Sequence, residues 1–388
     1  MIPLFSNNSP PLTWHIPADN LEHKRSPSLA AIHASVAGFA SFLLKQNTAR
    51  EYPEIVALAF WFRQAHLTQI TAAMPTELQN KKVHRVFHIA PANVDTVFMY
   101  SVLLSVLCAN QNIVRVSQRS GEVTWLLISL LREYLNLPKG QVLANLIAVV
   151  EYDARHEQVT EQLSNWCDLR VIWGGDEAIK TVSLIAPQTA QVCFPDRYSV
   201  AMLALDNTSD IVSIASGLLA DVLPFNQQAC SSPKAIFWLN TSQDIQQSFW
   251  DEVEKQLNAT EHQFDISNKV EQQINFQYLA AAFGLTMEND DEQGNMSFAR
   301  VQSVDVLGRC KVRYLTAEML AAHTGNGLML EQDVTSPNAI AFSAKLQTIV
   351  CAPASLDIQG EYKRTTRLGA SLEFDTVWDG IDLLQVFY

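Results

Sequence analysis

Apolar and polar positions change their period along the chain. Residues 30–44 and 55–73 place apolar side chains at helical spacing, after a first thirty residues that are mixed, polar and proline-containing. Beyond Lys81-Lys82 the period shortens. Apolar runs at 83–90, 112–116, 146–150 and 169–173 alternate with helical patterns at 95–109, 122–135, 157–166 and 177–185. Short apolar runs separated by helices of about ten to fifteen residues are the pattern of βαβ units and a parallel sheet. Asp95 is expected near the N-cap of the helix it opens. Further strand-like runs fall at 191–194 and 199–205. A helix is expected at 211–223, a loop of polar and small residues at 225–233, a strand at 235–239 and an amphipathic helix at 244–257. Residues 289–295 read as an exposed acidic loop.

A chain of 388 residues exceeds what one core usually holds, which predicts at least two domains. The expected division is 1–80 as a helical segment packing on a cofactor domain, 81–205 as that α/β domain, 206–350 as a catalytic domain, and 351–388 as a tail that returns to the cofactor domain or makes oligomer contacts. Apolar residues make up 48% and charged residues 17%, which excludes an intrinsically disordered chain. Twenty-seven basic against forty acidic residues leave a net charge of −13, and no Lys/Arg cluster stands out, so nucleic acid is not an expected partner. No apolar run has the length of a membrane span, and residues 1–11 have neither a basic start nor an apolar h-region. A cytoplasmic protein without stable membrane insertion is expected.

Candidate chemistry is sparse. A GxGxxG dinucleotide fingerprint is absent. Gly174-Gly175 alone occupies a strand-to-helix junction, where glycine lets the backbone approach a phosphate at a helix start. An ordinary strand-to-helix turn has the same pattern. The six cysteines contain no CxxC pair, which argues against a zinc knuckle and a disulfide framework. Cys108, Cys193 and Cys351 sit in apolar runs and read as core thiols. Cys230 differs, because amides precede it and small residues follow it in Asn226-Gln227-Gln228-Ala229-Cys230-Ser231-Ser232. That setting leaves room for a substrate and for backbone N–H groups that favour a thiolate, although an inert loop cysteine fits the same residues. His84 and His88 lie four apart on a strand-like run with no third ligand nearby, so no metal is expected.

Three stretches, in order, resemble the aldehyde dehydrogenase superfamily, and more closely its LuxC-type acyl-CoA reductases of bacterial bioluminescence. The first runs from His88-Ile89-Ala90-Pro91-Ala92-Asn93 to Asn112-Ile113-Val114-Arg115-Val116-Ser117. The second is Trp173-Gly174-Gly175-Asp176. The third is Asn226 to Lys234, similar to the family's nucleophile loop. The tail, Leu346-Gln347-Thr348 and Trp378 to Asp382, is also similar to LuxC-type sequence.

The resemblance implies an α/β fold with a Rossmann-like cofactor domain and a second α/β catalytic domain. It implies an oxidoreductase that reduces a long-chain fatty acyl thioester, as acyl-CoA or acyl-protein, to a fatty aldehyde. In that reading Cys230 is the acylated nucleophile and Asn93 an oxyanion donor. Arg115 and Ser117 contact the adenosine side of the cofactor, and Gly174 and Gly175 lie at the pyrophosphate. The comparable stretch, Cys193 to Ser199, has no glutamate where hydrolytic members carry a general base, which favours reduction over hydrolysis. Gln118 and Arg119 follow Ser117 where NAD-preferring members often carry a carboxylate, so NADPH is the expected cofactor. The implied associations are a homo-oligomer and an acyl-protein synthetase. The competing expectation is an acyl-transfer or structural subunit that has lost reduction.

Overall fold

The computed structural model describes residues 12–22, 27–72, 74, 81–91, 95–260, 265–284, 297–300, 307–340 and 343–388. The expected acidic loop at 289–295 and Asn93 lie outside them. The chain forms two compact units, 1–196 with 374–388, and 197–373. The expected boundary at 205/206 therefore falls at 196/197. The strand expected at 199–205 opens the second unit, because its neighbours in the sheet all come from later in the chain. Residues 374–388 belong to the first unit, and 351–373 to the second.

The first unit is built on a six-stranded sheet. Its strands are β1 (Thr13–Ile16), β2 (Arg85–Ile89), β3 (Gln111–Val116), β4 (Ile147–Glu151), β5 (Leu169–Trp173) and β6 (Ala190–Phe194), in the order β1-β4-β3-β2-β5-β6. All pairings are parallel except β1 with β4. Parallel strands are covered on both faces, which is why β4 and β5 are mostly apolar and do not alternate, with Arg170 the one charged residue inside β5. The strand order reverses between β2 and β5. Ligands of open α/β sheets bind beyond the carboxyl ends of strands at such a reversal.

Every residue of helix Val97–Leu107 is buried. The tail helix Leu383–Phe387 joins the same core. It is tied down where Asn110 Nδ2 donates to the Phe387 carbonyl at 2.9 Å and Lys82 N–H donates to the Tyr388 carbonyl at 2.9 Å. Two local expectations are corrected. The single helix expected at 55–73 is two, Pro53–Trp61 and Gln64–Thr71, separated by an extended Arg63. Asp95 does not cap its own helix. Its carboxylate accepts from Gly121 N–H at 3.0 Å and Thr124 Oγ1 at 2.6 Å, which ties it to the start of helix Glu122–Leu135.

The second unit holds a seven-stranded sheet. Its strands are β7 (Tyr198–Leu203), β8 (Pro233–Leu239), β9 (Ser297–Arg300), β10 (Gly308–Lys311), β11 (Leu328–Val334), β12 (Leu346–Ala352) and β13 (Arg364–Arg367), in the order β13-β12-β7-β8-β11-β10-β9. Only β9 and β10 pair antiparallel. Alternation along β7 sends Tyr198, Val200 and Met202 to one core and Ala201 and Leu203 to another. The second core is closed by helices Ile211–Val222 and Gln243–Asn258. It encloses Glu331, whose carboxylate accepts from Trp238 Nε1 at 2.8 Å, Trp250 Nε1 at 2.9 Å and Arg309 Nε at 2.7 Å. Hydrogen bonds and a charged partner of this kind are what a fully buried carboxylate requires. No described helix is long and apolar enough to cross a membrane.

Candidate active site

All six cysteines are thiols. Burial pushes Cys108, Cys167 and Cys310 up to about 12, and Cys351 up to about 11. Burial also raises Cys193. A thiol held protonated in an apolar core is a poor nucleophile. Cys230 is half-buried on the turn that leads into β8.

The approach to Cys230 is conformationally unusual. Phe225, Asn226 and Gln227 all carry left-handed backbone, with φ of 53°, 52° and 62°. Such residues cost roughly 1–2 kcal/mol each when they are not glycine. Strain of this kind persists where surrounding contacts over-determine it. Here the contacts are explicit. Gln227 is buried, and its Nε2 donates to the Pro233 carbonyl at 2.8 Å and the Leu328 carbonyl at 3.0 Å. The Cys230 carbonyl accepts from Ser199 Oγ at 2.7 Å, and that hydroxyl oxygen accepts from Thr348 N–H at 3.2 Å. Two strands, β7 and β12, thus hold the Cys230 peptide.

A second left-handed turn faces the first. Gly325, Asn326 and Gly327 have φ of 87°, 61° and 74°. Asn326 N–H donates to the Asn226 carbonyl at 2.7 Å. A side chain at Gly325 has no room, since its Cβ would stand 2.6 Å from the Gln227 carbonyl oxygen. His323 braces this turn as a neutral ring. Its Nδ1 accepts from Gly325 N–H at 3.0 Å and its Nε2 donates to the Leu328 carbonyl at 2.8 Å. Burial holds its pKa down at about 3. The tripeptide Gly-Asn-Gly was the available signal for this turn in the sequence. Its pairing with the Cys230 loop, about a hundred residues away, was not legible there.

In the first unit the other sequence candidates stand at the carboxyl ends of β3 and β5, the two strands that flank β2. Arg115 and Ser117 stand at the end of β3, and Gly174-Gly175 at the end of β5. Arg115 lies over the Tyr152 ring at 5.3 Å, its Nη2 donates to the Tyr152 carbonyl at 3.3 Å, and its Nε is buried without a partner among the described residues. Ser117 Oγ accepts from Arg119 N–H at 3.2 Å, and Arg119 is exposed. Gly175 is the N-cap of helix Asp176–Leu184, with no side chain capping the helix start. A Cβ there would meet no atom within 4 Å. An open glycine at an uncapped helix start suits an anionic ligand, although Asp176 and Glu177 place carboxylates in the first turn.

The junction is well supported from behind. Arg170 on β5 is fully buried, donating to the Val182 carbonyl at 3.1 Å, the Ile185 carbonyl and Gln191 Oε1 at 2.7 Å. Trp173 stacks on Phe194 at 4.0 Å and meets Trp378 edge-on at 5.4 Å. The second and tail stretches singled out in the sequence therefore touch within one unit. His88 is a core residue, placed between Ser101 Oγ and Asn112 Oδ1 at 3.0 Å each, and burial lowers its pKa to about 4.

The fold is that of aldehyde dehydrogenases. A salicylaldehyde dehydrogenase from Pseudomonas putida matches with a TM-score of 0.63 at 12% identity, over 95% of this chain and 86% of that one. A bifunctional proline utilization A protein matches with a TM-score of 0.63 at 14% identity, over 92% and 40%. Within this fold the family is narrower. The family model for acyl-CoA reductase (LuxC) matches residues 77–305, so the chain belongs to the LuxC family. It is 28% identical over 201 residues to long-chain acyl-protein thioester reductase 2 of Photobacterium leiognathi, covering 51% of this chain and 39% of that protein. The corresponding reductase of Photobacterium phosphoreum is 26% identical over 173 residues, covering 44% and 34%. The chain thus aligns with well under half the length of these curated relatives.

Proposed function

We propose that the protein reduces a long-chain acyl thioester, carried on coenzyme A or on a protein, to an aldehyde through an acyl-Cys230 intermediate. The observation that carries the reading is the setting of Cys230. It is a half-buried thiol on the turn that follows a braced, left-handed loop, whereas Cys108, Cys167, Cys310 and Cys351 are buried. The Cys230 thiolate adds to the thioester carbonyl carbon. The bond to the carrier sulfur breaks, and the carrier leaves as a thiol with the proton that Cys230 gave up. Asn93, whose position is not described, is assigned to the developing oxyanion together with the Cys230 N–H. A nicotinamide cofactor, when bound, would supply hydride to the acyl carbon, and the C–S bond to Cys230 then breaks to give aldehyde and the Cys230 thiolate.

Arg115, Ser117, Gly174 and Gly175 are assigned to the cofactor, on the buried Arg115 Nε and the open space at Gly175. NADPH is the proposed form, because Gln118 and Arg119 follow Ser117 and place no carboxylate against a 2′-phosphate. Homo-oligomerisation, an acyl-protein synthetase partner and a cytoplasmic location belong to the same proposal. A second reading, acyl transfer without reduction, draws on the carboxylates of Asp176 and Glu177 at the helix start, which oppose a bound phosphate.

The test is NADPH oxidation with tetradecanoyl-CoA. The reading predicts turnover that Cys230→Ala abolishes. Turnover unchanged in Cys230→Ala would refute it. Acylation of Cys230 with no NADPH binding would select the second reading.

A further inference from the structure

We infer that Asn326 is a positioning residue for Cys230, locking the nucleophile loop to helix Ile266–Ala282. The inference rests on the reading of Cys230 as the acylated residue. Asn326 is 2% exposed and forms four hydrogen bonds. Its N–H donates to the Asn226 carbonyl at 2.7 Å. Its Oδ1 accepts from Gln228 Nε2 at 3.0 Å and from Asn268 Nδ2 at 2.8 Å. Its carbonyl accepts from Gln272 Nε2 at 2.9 Å. Two of these partners, Asn226 and Gln228, stand four and two residues before Cys230. The other two, Asn268 and Gln272, lie one turn apart on the helix.

The arrangement explains the residue type. Position 326 sits at φ 61°, where asparagine is tolerated better than other side chains. The same side chain offers one oxygen to two donors from different elements. Glycine would keep the backbone but lose that bridge, and alanine would lose both. The helix reaches the facing turn at two further points. Asn275 Nδ2 donates to the Ala322 carbonyl at 3.1 Å, and Asn275 Oδ1 accepts from Thr324 N–H at 3.2 Å. One face of the helix therefore holds both sides of the 323–327 turn, and that turn holds residues 226–228. Small displacements of a nucleophile lower its rate steeply, so the bridge acts on the acylation step and not on substrate affinity.

The test compares Asn326→Ala, Asn326→Gly and Asn268→Ala by single-turnover acylation with tetradecanoyl-CoA, read by intact mass, alongside the pH profile of Cys230 alkylation by iodoacetamide. The expected result is an acylation rate constant lowered about tenfold in Asn326→Ala and about threefold in the other two. KM is expected to stay within about twofold, and the alkylation midpoint to move. Asn268→Ala changes a half-buried helix position and keeps the test decisive if a change at Asn326 prevents folding. Wild-type rates and profiles in folded Asn326→Gly and Asn268→Ala, with Cys230 acylated in the wild type, would overturn the inference alone. Absence of Cys230 acylation in the wild type would remove the underlying reading and this inference together.

Discussion

The loop around Cys230 and the strand ends around Gly175 are built in opposite ways. Near Cys230 the loop is braced by contacts within the chain, although Gln227 Oε1 and Ser232 Oγ are buried without a hydrogen-bond partner among the described residues. Left-handed residues face left-handed residues, Gln227 and Asn326 bridge them, and Gly325 leaves no space for a methyl group. Near Gly175 the protein leaves its groups available, with an uncapped helix start and open space in front of the glycine. A nucleophile gains from being fixed before substrate arrives, while a binding edge needs donors that a ligand will complete. Glycine stands at both, packed against the chain's own backbone at 325 and facing open space at 175, where the proposed cofactor would lie.

That contrast can be broken at several points. Gly325→Ala should be the most damaging, since its Cβ meets backbone at 2.6 Å and its φ is 87°. A loss of about 3 kcal/mol is expected, read as a fall in thermal midpoint together with a slowed acylation of Cys230.

Acid should come next. His88 in the first unit and His323 in the second are held near 4 and 3 against an ordinary 6.5. Both folded-state values are lowered. Between pH 6.5 and about 4 the unfolded chain therefore binds protons that the folded one does not. Their contribution is present above pH 6.5 and lost as pH falls, at about 2 kcal/mol each by pH 5. Thermal melts at pH 7 and pH 5 check this, and His88→Gln should remove part of the fall. An acid-insensitive melt would contradict the buried neutral rings.

Arg119→Glu should shift the preference between NADPH and NADH towards NADH by about tenfold, or about 1.4 kcal/mol, with folding unchanged. Gly175→Ala should have the smallest effect on stability, within about 0.5 kcal/mol, because its Cβ has no neighbour within 4 Å. It should weaken cofactor binding a few-fold, measured by fluorescence titration. Equal loss of stability at 175 and 325 would erase the contrast between the two regions.

Much of the first unit was legible in the sequence because parallel strands buried on both faces are written as short apolar runs, as in Ile147–Glu151 and Leu169–Trp173. The resemblance pointed to Cys230, and local composition set it apart from the other thiols. What escaped depends on distant pairing. Asp95 caps a helix that starts 27 residues later, and the boundary at 196/197 follows from which sheet accepts Tyr198–Leu203. The Gly325–Gly327 turn carries a readable signal, but its partner is chosen by the fold. Glu331 likewise gives no local hint that Trp238, Trp250 and Arg309 will enclose it.

The central claim concerns one sulfur, and intact-mass spectrometry after mixing with tetradecanoyl-CoA in the absence of cofactor tests it most directly. The account predicts a single acyl adduct on the wild-type protein, released by hydroxylamine and absent from Cys230→Ala. An adduct that persists in Cys230→Ala would place the chemistry elsewhere and contradict the account.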